Sequence, residues 1–216
     1  QLDDKKDPRV PFIHRSLKSG DATLNAQQSS LLVLHDEPIK AFEKICARFK
    51  ISEVFTNHDY EPYAIQRDTA MQHFLAKKNI SFRSYKDQVI LERSEVIKAD
   101  GTPYTIFTPY SNAWKQKLNS TPIHFFPSEK KLDNLLKIKS FDFPSLKQIG
   151  FENINVDVAE MNISKELITH YVDTRNIPSL QGTSRVSVSL RFGTVSVRKL
   201  VALAQQGESV TIAIHG

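Results

Sequence analysis

Residues 53–64 read EVFTNHDYEPYA. The run from Glu53 to Thr56 is short and rich in residues that suit a pleated, half-buried strand. Pro62 then stands where a first-turn proline belongs, with acids just ahead of it that complement a helix N-terminus. The stretch therefore predicts a strand over Glu53–Thr56 and a helix from Pro62 to about Lys78, with Ile65, Phe74 and Leu75 facing inward. The same pattern lies just upstream. Ser30–His35, SLLVLH, is a short apolar run suited to a buried parallel strand. Asp36, Glu37 and Pro38 then open a helix whose Ile39, Phe42, Ile45, Cys46 and Phe49 share one face. Downstream, Ile80–Tyr85 and Val89–Leu91 read as further strands. Strands alternating with helices predict an α/β fold built on a doubly wound parallel sheet.

The 216-residue composition agrees with a globular domain: 40% hydrophobic and 25% charged residues exclude collagen-like, disulfide-scaffold and disordered classes. No apolar run approaches the roughly 18–20 residues that cross a bilayer, and the N-terminus does not read as a secretory signal. The single cysteine, Cys46, excludes an intramolecular disulfide and points to a reducing, cytoplasmic setting. The seven histidines are scattered without metal-ligand spacing, so no metal site is expected. The net charge of +5 is unevenly spread. Residues 113–150 carry seven bases against three acids, whereas 151–160 carry three acids and no base. Mild basicity permits a nucleic-acid partner without demanding one.

The rest of the chain reads as a first helix over Val10–Leu17, a helix with the only tryptophan near Phe107–Leu118, an extended connector over 121–160, and helices over Ile163–Arg175 and Val195–Gln206. No strand precedes residue 30, so the sheet reads as incomplete. Its unpaired edges invite association.

Three segments carry candidate chemistry. The turn from Asn57 to Asp68 sits at the carboxyl end of a strand, where open α/β sheets bind ligands. The same residues also suit a helix cap and a salt-bridged turn. The segment Gly182–Ser187 joins a flexible glycine, three hydroxyls and Arg185 ahead of a short helix, which suits a phosphate, or a plain Ser/Thr cap. Arg191, Arg198 and Lys199 suit either nucleic-acid phosphates or a solvated helix face, the latter being the commoner use.

Taken in order, these segments resemble the DNA photolyase/cryptochrome family, and within it the cyclobutane-dimer photolyases. The resemblance rests on NHDYEPYA (57–64) with Arg67 and Asp68, DQVI (87–90), GTPYTIFTPY (101–110) with Trp114, GTSR (182–185) and LRFG (190–193). It implies an incomplete α/β antenna domain over 1–120, a connector over 121–160, and over 161–216 the first helices of an all-α domain that binds FAD. By the same resemblance Thr183, Ser184, Arg185, Val186 and Ser187 contact the flavin's phosphates, Tyr171 contacts the flavin, and Arg175 contacts DNA phosphate. Val186 replaces the usual leucine. The positions of the family's folate-binding Asn-Glu pair hold Tyr63 and Ala64, which disfavours a folate antenna. A deazaflavin or flavin antenna, or none, is open, with Tyr63 and Asp87 as candidate contacts.

The family's opening strand and most of its helical domain have no counterpart here, and the tail 209–216 does not read like the next family helix. The chain is thus expected to be an inactive fragment with no catalytic residue of its own. The implied activity of the whole is that of a carbon–carbon lyase: light-driven splitting of pyrimidine dimers in damaged DNA by an electron from reduced FAD. The alternative is a cryptochrome-type blue-light receptor without repair activity. No membrane partner is expected.

Overall fold

The computed structural model describes residues 3–92, 94–158 and 160–206, so the tail 209–216 lies outside the described residues. Its residues group into two units. Of the described residues, one unit holds those within 36–125 and 195–202, and the other those within 3–35, 126–194 and 203–206.

The first unit is built on helix α2 (Pro38–Arg48), strand β1 (Glu53–Asn57), helix α3 (Pro62–Ala76), strand β2 (Ser81–Tyr85) and helix α4 (Phe107–Ser120). Strands β1 and β2 pair in parallel, with Val54 opposite Phe82 and Phe55 opposite Arg83. Strand side chains alternate between faces, so Val54 and Phe82 point the same way. Both pack on Met71, Leu75 and Ile80, with Ile39, Phe42, Cys46 and Phe74 closing the cluster. Leu75 is fully enclosed. The opposite face carries Phe55 and Tyr85, stacked with ring centroids 6.2 Å apart and more than half exposed. Asn79 ends α3: it takes a left-handed φ of 58°, and the Asn79 and Ile80 amides fold back to the Ala76 and Leu75 carbonyls. That double bond closes the helix and aims the chain into β2.

The second unit contains helix α1 (Arg9–Ala26), helix α5 (Lys165–Thr174) and the short helix α6 (Ser187–Arg191). Helix α7 (Val197–Gln206) follows α6 in the chain. Helix α1 runs well past the expected Leu17 and ends by the same device as α3, with Gln28 at φ 59°. The stretch 121–160 is irregular apart from one 3-10 turn at Ser128–Asn134, yet it is tied down. Its Pro144 carbonyl bonds His14 Nε2 at 2.8 Å, its Ile138 amide bonds the Gln28 carbonyl, and its Glu152 amide bonds the Lys5 carbonyl.

Two expected strands do not form. Ser30–His35 stays outside any ladder. The buried carboxylate of Asp21 on α1 takes its Leu31 amide at 2.8 Å and its Ser30 hydroxyl at 3.1 Å. A backbone donor spent on a side chain is lost to strand pairing. Val89–Leu91 is a bend between two charged anchors, Lys86 and Glu95, whose side chains bond each other. Among the described residues the sheet is therefore two-stranded. Ile65 also departs from its expected place: it is 41% exposed instead of facing the core.

Candidate cofactor segment and sheet-edge cleft

Helix α5 starts at Ser164, whose hydroxyl accepts the Leu167 amide at 3.2 Å. Tyr171 and Arg175 lie one turn apart on it, and the Arg175 guanidinium stands 5.6 Å from the Tyr171 ring centroid. Both are exposed. The next segment is pressed against the end of this helix. A Cβ on Gly182 would lie 2.6 Å from the Cβ and Oγ1 of Thr174, so only glycine fits there. Thr183–Ser187 is thereby positioned by the helix that carries Tyr171 and Arg175.

Within that segment the Ser184 carbonyl accepts the Asn162 amide at 3.0 Å. Arg185 adopts a left-handed φ of 53° and its guanidinium bonds the Gln181 side-chain oxygen. Thr183 and Ser187 are exposed, and Ser184 and Val186 are half-buried. Among the described residues the amides of 183–187 and the hydroxyls of Thr183, Ser184 and Ser187 have no hydrogen-bond partner. The donors are held in one short stretch and remain unspent, which is the chemistry an anionic oxygen needs.

The turn after β1 builds a different place. His58 Nδ1 lies 2.6 Å from Glu92 Oε1, and the Tyr60 hydroxyl donates to the same oxygen at 2.7 Å. These residues line a cleft of about 420 Å³ together with Asp59, Asp68 and Phe82. Burial pushes the Glu92 carboxyl up, but the hydrogen bonds from Tyr60 and His58 outweigh it and hold the group below its ordinary value. Asp59 caps its own turn by accepting the Glu61 amide at 3.2 Å, and Arg67 pairs with Asp68 at 2.8 Å. The salt-bridged turn expected for this segment is thus realised alongside the cleft, but the helix cap is not: Glu61, at the N-cap of α3, makes no side-chain capping bond. Tyr63, 67% exposed on the first turn of α3, does not line it. Asp87 does not line it either; it accepts from Asn57 at 2.9 Å and pairs with Arg198.

Arg198 is accordingly neither a solvated residue nor a free phosphate ligand: its side chain is 14% exposed. Lys199 is exposed, as a solvated face requires. Sequence reasoning missed Glu92 and the Arg198 pairing. No local signal joins residues 111 positions apart, and a glutamate after an apolar triplet looks like any surface acid. Among the described residues no group of histidine, cysteine and carboxylate side chains is arranged to hold a metal ion, and no helix is long and apolar enough to cross a membrane.

Residues 2–129 match the family model for DNA photolyase. The chain belongs to the DNA photolyase family. A deoxyribodipyrimidine photo-lyase of Alkalihalophilus pseudofirmus is 33% identical over 177 residues, which cover 74% of this chain and 36% of that protein. Among solved structures, a bacterial class III photolyase of Agrobacterium tumefaciens superposes with a TM-score of 0.72 at 18% identity. The match covers 96% of this chain and 45% of that one. An archaeal photolyase of Sulfolobus tokodaii, solved with two FAD molecules, superposes with a TM-score of 0.58 at 19% identity over 94% of this chain and 44% of its own. The fold is thus photolyase-like, with a small parallel sheet and helices in its α/β part. The chain spans less than half the length of these relatives.

Proposed function

We propose that this chain serves a light-driven DNA-repair flavoprotein that splits cyclobutane pyrimidine dimers, the activity of a deoxyribodipyrimidine photo-lyase. The observation that carries the reading is the row of unspent donors at 183–187, fixed against α5 by Gly182. Family membership and the name of the Alkalihalophilus relative support it. When bound, reduced FAD supplies the photoexcited electron that opens the cyclobutane ring. Thr183, Ser184 and Ser187 hold the cofactor's phosphate oxygens through hydroxyls and amides, with Val186 contributing its backbone. Arg185 adds positive charge, and Tyr171 packs at the flavin side. Arg175 holds a phosphate of the damaged strand. In this reading 1–120 belongs to a doubly wound antenna domain, 121–160 to a connector and 161–216 to the start of the helical FAD-binding domain. The single free thiol accords with a cytoplasmic setting.

Where the antenna part holds a second chromophore, Tyr63 and Asp87 are its contacts, and a folate is disfavoured. Ala64, at the folate pair's second position, is 2% exposed and offers no polar group.

The test is flavin content. In the protein as encoded, Thr183→Val combined with Ser187→Ala lowers the flavin-to-protein absorbance ratio at least severalfold with unchanged far-ultraviolet circular dichroism. An unchanged ratio removes the segment from the cofactor site. Repair of a dimer-containing oligonucleotide under blue light separates the photolyase from a cryptochrome-type receptor, which shares the same phosphate-holding residues.

A further inference from the structure

Helix α7 sends one side chain back to the loop that follows β2. Arg198 Nη1 pairs with Asp87, and Nη2 donates to the Lys86 carbonyl at 2.7 Å. Asp87 also accepts from Asn57, the last residue of β1. From Lys86 the bonds continue inward. Its ammonium donates to both oxygens of Glu95 at 2.8 and 2.7 Å, and Glu95 accepts the Glu92 amide at 2.5 Å. Glu92 then meets His58 and Tyr60 at the mouth of the cleft. The path from α7 to the cleft wall is unbroken.

This loop needs such a path. Residues 86–92 belong to no strand, so no backbone ladder sets their position. Leu91 and Val96 are buried and anchor the loop to the unit, but apolar contacts do not fix the direction of a carboxylate. Directional bonds do, and a planar guanidinium holding two acceptors at once is the least adjustable of them.

We propose that Arg198 is a positioning residue for the cleft: by clamping Lys86 and Asp87 it sets the register of the loop and hence the placement of Glu92 against His58 and Tyr60. The assignment stands on this geometry and not on the flavin reading. It gives the first turn of α7 a defined role in holding this loop.

Amide hydrogen exchange and nuclear magnetic resonance on the full chain test it. Arg198→Ala speeds exchange of the Glu92 amide, which donates to Glu95, by about tenfold or more, the scale of one lost charge-assisted hydrogen bond. Amides of Leu75 and Ile80 in the core keep their protection. The His58 ring resonances move in the direction seen for Glu92→Gln. Arg198→Lys falls between, because an ammonium keeps the pair with Asp87 but loses the second acceptor. Asp87→Asn, a milder change, loosens the Glu92 amide by a smaller factor and serves if Arg198→Ala fails to fold. Unchanged loop exchange, equal loss of protection at Leu75 and Ile80, or a lysine variant no better than alanine each overturns the assignment.

Discussion

Arg175 stands over the ring of Tyr171, a cation placed against the negative face of an aromatic. The contact fixes where the charge sits without neutralising it, which is what a phosphate ligand requires. In the full protein, Arg175→Ala is expected to weaken binding of dimer-containing and intact duplexes alike. It lowers the slope of log affinity against log salt by about one, the signature of a single lost phosphate contact. Titrations at several salt concentrations measure this, and an unaltered slope takes Arg175 off the DNA surface. At this scale the sequence was informative where spacing is local. Tyr171 and Arg175 are one helical turn apart, and the hydroxyl run 183–187 is contiguous. It was silent on Asp87 with Arg198, because a pair 111 positions apart leaves no periodic trace.

Elements were legible where a pattern and a stop signal agreed. Pro38 and Pro62 open α2 and α3 at the expected places. Asn79 closes α3 with a left-handed turn that its short amide side chain tolerates. The reading failed at Ser30–His35, where an apolar run looked like a strand but Asp21 had claimed its first donors. Hydrophobic pattern shows what a segment buries and not which partner its amides choose. The two-stranded ladder that does form leaves Phe55 61% and Tyr85 51% exposed, side by side on one face. An aromatic face beside short edge strands favours contact with another molecule. Sedimentation velocity over a hundredfold concentration range is expected to show the chain associating as it is concentrated. Phe55→Lys, at an exposed position outside the core cluster, shifts it toward monomer. A wild-type chain that stays monomeric across the range refutes the claim.

Charge acts on the molecule as a whole through its carboxylates. Asp7 is held down to about 2 by hydrogen bonds from Arg9. Asp36 is held low by Lys44, Asp100 by Thr102, and Glu95 by Lys86. Glu92 is low because Tyr60 and His58 overcome its burial. Each group regains its ordinary value, 3.8 for aspartate and 4.5 for glutamate, when the chain unfolds. The unfolded state therefore binds protons first as the medium is acidified, and stability falls with pH in that window. Above about 4.5 these contributions are fully present; below it they are lost progressively toward pH 2. Exposed pairs such as Asp7 with Arg9 are screened by solvent and add little, so the half-buried Glu92 and Glu95 carry more of the effect. The raised bases Lys40 and Arg83 oppose nothing here, since their contributions are lost only in strongly alkaline medium. Urea midpoints are thus expected to be level from pH 8 to about 5.5 and to fall as the pH drops below about 4.5. Glu95→Gln, which keeps an acceptor for Lys86 but cannot titrate, makes that drop shallower. A decline that sets in well above the ordinary glutamate value of 4.5 would remove the carboxylate account.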